Sequence, residues 1–337
     1  MANAREIKRH INSVRDTAKI TNAMYLISST KMQKARRHLE ESRPYFDAVR
    51  NEVSLIFKYA EKADSRYFFK EYDGKDAPGR HLGAHHDGHG SKKDDMPAIL
   101  VITADKGLCG NYNLNVLRET EKVIERFKGA RLFVIGEYGR HYFERRGIAY
   151  EASFEYMSQT PTMEEARDIT DRLLELYDNE EVSRVYCMYT IMRSAITSEP
   201  CMTRMLPFER SEFTSVTETV SRKASIKTML FNKEEAKKRQ DYEFVPSAGA
   251  VLDNALRSLS AGFIYNCLVS SFCSEQDARM MAMDSANDNA KALLENLGLE
   301  YNRARQAAVT NEITEISAGE LAQKRKRLRK AAKDREI

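Results

Sequence analysis

The first sixty residues contain no glycine and a single proline, Pro44, and a segment that long without turn chemistry leaves few folds open. Apolar or small side chains recur at Ile7, Ile11, Val14, Ala18, Thr21, Tyr25, Ser28, Met32, Ala35 and Leu39, in alternating steps of four and three. That interval draws one stripe along a helix and is the spacing of a coiled coil. A helix over about residues 3–58 would be roughly 80 Å long, more than a small globule needs. Ile20, Met24 and Ile27 form a second apolar strip, so this helix is expected to touch more than one neighbour.

The other end repeats the pattern. No proline follows Pro246, and the glycines at 249, 262, 298 and 319 are isolated, which lowers helix propensity without excluding a helix. Leu252, Leu256, Leu259, Ile264, Cys267 and Leu268 lead into Met283, Ala286, Ala290, Leu293, Leu297, Tyr301, Ala304 and Ala308. Small residues recur in both series, which allows close helix approach. The economical arrangement is an antiparallel pairing of the two ends, protruding from a domain inserted between them.

That insert has another rhythm. "AILVIT" (98–103), "RLFVIG" (131–136) and "VSRVYCMYT" (182–190) read as strands, residues 113–127 and 163–178 as helices, and "ITSEPCMTRMLPFE" (197–210) offers a further strand. Alternation of this kind predicts βα units on a mainly parallel sheet. The expected fold is therefore α/β: a long antiparallel two-helix coiled coil from the terminal segments with an inserted Rossmann-like domain. The expected organisation is a first long helix over 1–60, a connection with a His/Gly-rich linker over 61–97, the α/β domain over 98–230, a charged linker over 231–247, a second long helix over 248–323 and a basic tail over 324–337.

Charge and cysteine usage narrow the function classes. Lysine and arginine number 54 against 50 acidic residues, so the net charge of +4 says less than its placement. Met1 to Arg43 carries ten basic and four acidic residues, and the chain closes on "KRKRLRKAAKDREI". Such ends suit either a solvated helix face or an anionic partner, nucleic acid or lipid. Five cysteines without a close pair point to free thiols in a reducing compartment. No run of 18 apolar residues and no signal-peptide pattern occurs, so any membrane is expected to be reached through partners. His81, His85, His86 and His89 could hold zinc or nickel, but the glycines among them and the lack of a completing cysteine favour a solvated insertion; no metal or cofactor is expected.

The stretch that most resembles a catalytic motif is "TADKGLCGNYN", Thr103 to Asn113. A Walker loop needs a lysine and a hydroxyl directly after its second glycine, and a dinucleotide loop needs GxGxxG. Neither is present. Cys109 at a helix start could be an activated thiol, yet no histidine lies near it in sequence. The reading that fits is a structural strand-to-helix turn built on Gly107, Cys109 and Gly110.

Three segments, "IKRHINSVRDTAKITNAMYLISSTKMQKAR", "ITADKGLCGNYN" and "ARMMAMDSANDNAKALLENLGLEYNRARQAAVTNEITEI", together resemble the gamma subunit family of the F-type ATP synthase. The resemblance implies a non-catalytic central-stalk rotor that couples transmembrane ion flow to ATP synthesis or hydrolysis. Its implied partners are three alpha and three beta subunits, an epsilon subunit and the membrane c-ring. The implied location is peripheral, on the cytoplasmic side of a bacterial cell membrane. By the same resemblance Met24 and Arg279 match shaft residues facing a beta subunit, and Arg305, Gln306 and Thr310 match polar residues implicated in coupling. The alternative from a different class is a basic coiled-coil protein binding nucleic acid or anionic membrane; no recognisable nucleic-acid module supports it, and no nucleic acid is expected. Two departures stand out: Asn111 and Tyr112 follow Gly110 where the family commonly has a further glycine, asparagine being tolerant of left-handed backbone, and the chain runs well past "EITEI".

Overall fold

The computed structural model describes residues 4–60, 65–68, 96–127, 129–152, 156, 158, 160–193, 197–214 and 244–333. The four clustered histidines and the charged linker over 231–243 lie outside the described residues. Helix α1 runs from Ala4 to Tyr59 without a break at Pro44. The central elements follow as β1 (Pro97–Ile102), α2 (Tyr112–Arg126), β2 (Arg131–Ile135), α3 (Glu137–Arg146), α4 (Met163–Asp178), β3 (Arg184–Met192), β4 (Ser198–Leu206) and the single turn α5 (Ser211–Thr214). Helix α6 closes the described chain over Ala248–Lys333.

The sheet order is β2-β1-β3-β4. Strands β1, β2 and β3 are parallel, and β4 returns antiparallel on β3. Every residue of β1 is buried because both faces of the sheet are covered. One face, with Ile99, Val101, Leu132 and Val134, packs on Val116 and Leu117 of α2 and Phe143 of α3. The other, with Leu100, Ile102, Phe133 and Ile135, packs on Ile169 and Leu173 of α4 and on Val53, Leu252, Leu256 and Ile264 from the long helices. Truncating any of these fully buried leucines would cost about 2–5 kcal/mol.

Strands β1, β2 and β3 and helices α2 and α4 occur within a residue or two of where the sequence placed them, and β4 is the further strand, shorter than the segment that offered it. Helix α3 was not foreseen. It starts directly after Gly136, whose φ of 94° a side chain would strain, and Gly136 lies against the Thr103 carbonyl at the end of β1. Thr103 Oγ1 donates to the Ile135 carbonyl at 2.9 Å and accepts from the Gly139 amide at 3.1 Å, which seats the helix on the sheet.

The described chain falls into two compact units, Ser28–Arg279 and the terminal pair Met1–Ile27 with Met280–Ile337. In the terminal pair the two helices meet along the expected stripes: Ile7, Met283 and Leu297 are buried, and Thr21 Oγ1 donates to Asn287 Oδ1. Ala304 is half-buried, while Ala308 and every residue from 305 to 325 are exposed. The close-packed series therefore stops at Ala304, because the chain supplies no second helix beside α6 past that point among the described residues. The helix itself does not stop at 323; it continues through Lys333.

Candidate functional site

The loop between β1 and α2 is held by its own side chains. Asn113, buried in the first turn of α2, accepts from the Ala104 amide at 2.9 Å and donates to Cys109 Sγ at 3.4 Å. The Tyr112 amide donates to the Cys109 carbonyl at 3.2 Å. Asp105 closes the other side by accepting from the backbone amides of Ser158 and Glu137 at 3.0 and 3.2 Å. The left-handed positions are Leu108, with φ 62°, and Gly110, with φ 55°. Asn111 adopts φ −90° instead, so the turn is absorbed one residue earlier than the asparagine suggested.

The α/β topology marks where a ligand would ordinarily sit. The strand order reverses between β1 and β3, and the crevice outside the carboxyl ends of those strands is the usual binding place of such a sheet. Here α6 occupies it. Ser271 Oγ accepts from the Thr190 amide at 3.0 Å, and Ser274 Oγ donates to the Thr190 carbonyl at 3.4 Å. Ala278 packs on Ala104, Cys109 and Tyr112. Arg279 donates to Glu275 Oε1 at 2.6 Å and to the carbonyls of Lys106 and Gly107 at 3.4 and 3.2 Å. One arginine thus fastens the loop to the helix that covers it.

The chemistry of this crevice is that of a closed joint. Cys109 is 2% exposed, and burial pushes its thiol up, with Arg279 offsetting only part of that. A nucleophilic thiol needs the opposite shift. His141 is exposed on α3 and faces Glu137 and Glu144 of its own helix. Among the described residues no cluster of histidine, cysteine, aspartate and glutamate has the geometry to hold a metal ion.

The residues singled out from the sequence fall into two groups. Gly107, Cys109, Gly110 and Arg279 come together in the joint just described. Arg279 is 9% exposed and already carries three bonds. Met24 is half-buried in the terminal helix pair, and Arg305, Gln306 and Thr310 are exposed on α6, with Thr310 Oγ1 donating to the Gln306 carbonyl at 2.9 Å. Glu275, Tyr112, Thr190 and Ser271 escaped sequence reading. The signal for Glu275 was its place four residues before Arg279, the spacing of a helical ion pair.

A family model described as ATP synthase matches residues 3–322. The ATP synthase gamma chain of Ruminiclostridium cellulolyticum is 38% identical over 318 residues, covering 94% of this chain and 97% of that one. The chain belongs to the ATP synthase gamma chain family. The gamma chain of Acetivibrio thermocellus is 36% identical over 321 residues, 95% of this chain and 98% of its own length. In fold the chain is similar to the rotor of the Euglena gracilis mitochondrial ATP synthase, with a TM-score of 0.57 at 12% identity over 91% of this chain and 98% of that one. Membership makes the chain a component of an enzyme complex associated with a membrane. No helix among the described residues is long and apolar enough to cross that membrane. The family match ends just short of the basic tail, which begins at Lys324.

Proposed function

We propose that this chain is the central-stalk rotor of an F-type ATP synthase, turning inside three alpha and three beta subunits and joined at its other end to an epsilon subunit and the membrane c-ring. Ion flow through the c-ring turns the shaft, and ATP hydrolysis turns it in reverse. The complex lies on the cytoplasmic side of a bacterial cell membrane, and this chain reaches the membrane only through its partners.

The observation that carries this reading is the last third of α6. From 305 to 325 every residue is exposed, among them Val309, Ile313, Ile316 and Leu321, the last three at 60–71%. Apolar side chains on one helix with no cover among the described residues are suited to burial by another chain around them. Arg305, Gln306 and Thr310 lie at the start of this stretch, free to form charge-assisted bonds that are made in one rotary position and broken in the next. Met24 and Arg279 complete the coupling set: Met24 as an apolar bearing contact, and Arg279 as a residue that stiffens the joint and presents its remaining edge to a beta subunit.

The role is mechanical and non-catalytic. The crevice in which an α/β domain would work on a ligand is filled by α6, and the thiol beside it is buried. The task is to favour one conformation of each catalytic subunit over another. Inverting a 1:99 population takes about 5.5 kcal/mol of differential binding.

The test is reconstitution. The complex with this chain should couple ATP hydrolysis to ion pumping across a vesicle membrane, and the complex without it should hydrolyse ATP without pumping. Pumping at the intact rate in its absence would remove the reading.

A further inference from the structure

A polar layer interrupts the apolar seam of the terminal helix pair: Thr21 Oγ1 of α1 donates to Asn287 Oδ1 of α6. Both residues are half-buried, and both occupy seam positions. On α1 the covered residues recur in alternating steps of three and four from Ala4 to Tyr25, through Thr21; on α6 they recur in the same way from Met283 to Ala304, through Asn287. The Thr21 oxygen also lies 3.1 Å from the Ala18 carbonyl, so the hydroxyl is braced against its own preceding turn while it faces the other helix.

This bond states how the two antiparallel helices are aligned. With Thr21 level with Asn287, equal steps in opposite directions bring Ala18 level with Ala290, Val14 with Leu294, Ile11 with Leu297 and Ala4 with Ala304. Ala304 is the last covered seam residue, and every residue from 305 to 325 is exposed, so the alignment set by one bond places the end of the cover where it is found. The apolar layers do not enforce that alignment, because a shift of seven residues returns apolar groups to apolar groups. Thr21 and Asn287 do enforce it. A shift one way sets Thr21 opposite Leu294, a shift the other way sets Asn287 opposite Val14, and in each case a polar side chain at the seam loses its partner.

We infer that Thr21 and Asn287 are a positioning pair that selects the register of the terminal coil, and with it the length of α6 left uncovered beyond α1. A shift of one heptad would move that boundary by about 10 Å along the helix. The pair supplies specificity rather than strength: a polar layer in a coiled-coil seam fixes alignment at some cost in stability, and apolar residues of similar volume in its place are often neutral or stabilising. Its effect on coupling passes through Met24, one turn further along α1, and through the exposed stretch that begins at Arg305. That effect rests on the rotor reading, whereas the register itself does not.

The experiment compares three variants in the intact synthase assembled in vesicles: Thr21→Ser, which keeps the hydroxyl, Thr21→Val, which removes it, and Thr21→Val/Asn287→Leu, which makes the layer apolar. Thr21→Ser should match the wild type. The apolar double variant should assemble with a thermal midpoint no lower than the wild type, yet pump at least about threefold fewer ions per ATP hydrolysed. Its density map should show residues 4–27 away from the native alignment with α6, shifted or divided between two registers. An apolar variant in the native register alone, with unchanged pumping, overturns the inference. So does one that fails to assemble or melts earlier, since the pair would then act through stability, and so does a Thr21→Ser variant as impaired as Thr21→Val. A wild-type complex that does not pump sinks the rotor reading alone, because the maps still decide the register.

Discussion

Residues 252–279 and 305–325 are parts of one helix, α6, and they live in opposite surroundings. The first stretch puts Leu252, Leu256 and Ile264 at 0% exposure against the sheet and ends in the ion pair that closes the loop crevice. The second leaves Ile313, Ile316 and Leu321 in solvent. Helices in proteins gain most of their stability from tertiary packing rather than propensity. The buried stretch is therefore specified by this chain alone, whereas the exposed stretch is specified for a surface that another chain provides. Substitutions in the first should register as stability and those in the second as coupling.

The largest effect is expected in the self-sufficient unit. Gly136 sits at φ 94°, and a Cβ there would collide with the Thr103 carbonyl, which is backbone and cannot yield cheaply. Gly136→Ala should lose about 3 kcal/mol or more, combining a strained dihedral with displacement of the β1 end. Denaturant unfolding and recovery of assembled complex would both report it. A variant assembling at wild-type yield with an unchanged midpoint would show that the joint between β1 and α3 is softer than its geometry implies.

Next comes the exposed stretch. A chain ending at Ala304 keeps every buried residue of the crevice and loses Arg305, Gln306, Thr310 and the apolar groups beyond them. Assembly should survive, while ATP-driven ion pumping should fall at least about tenfold relative to hydrolysis, equivalent to about 1.4 kcal/mol of coupling. Equal pumping per ATP would erase the functional half of the comparison.

The two regions also differed in how far the sequence revealed them. Long stripes with no clustered turn residues announced both helices, and short apolar runs announced the strands, because periodicity is a property of local sequence. Helix α3 was hidden by its composition: "EYGRHYFERR" buries only Gly139 and Phe143, so it carries almost no apolar stripe. The loop was legible as a turn from Gly107 and Gly110, but its fastening was not. Nothing in the sequence links Lys106 to Arg279, which are brought together only when α6 covers the crevice. The end of the close-packed seam at Ala304 was equally invisible, since Ala308 continues the spacing perfectly and lacks only a neighbour.

A smaller effect in the α/β unit tests its electrostatics. Glu165 lies in the first turn of α4, where burial raises its carboxyl to about 7; a hydrogen bond from the Thr162 backbone amide to the carboxylate opposes the rise, and Asp105 and Asp168 add to it. A raised acid binds its proton more tightly when folded. Its contribution is thus complete below the unfolded value near 4.5 and is lost as pH rises through about 7. Because the side chain is partly solvated, the loss is screened, and the melting temperature should fall by about 2 °C between pH 5 and pH 8. Glu165→Gln should flatten that slope. An identical slope in the variant would assign the pH dependence to another group.

The smallest expected effect falls at the far end of α6, where it separates helix from bearing. The helix runs on to Lys333, but the family match stops at 322 and the sequence from Lys324 to Lys330 is basic at six of its seven positions. Like charges spaced by three and four repel by a few tenths of a kcal/mol per pair, so this segment gains nothing from its own helicity. Its charge is also screened at physiological salt within about 8 Å. A chain ending at Gln323 keeps Val309, Ile313, Ile316 and Leu321, the exposed apolar groups that need an enclosing surface. If those groups form the bearing, coupled ATP synthesis should stay within about twofold of the full chain, and the ratio should not change when the ionic strength is raised. A tenfold loss that deepens at low salt would move the bearing into the basic segment, and the contrast within α6 would then be one of charge rather than of apolar cover.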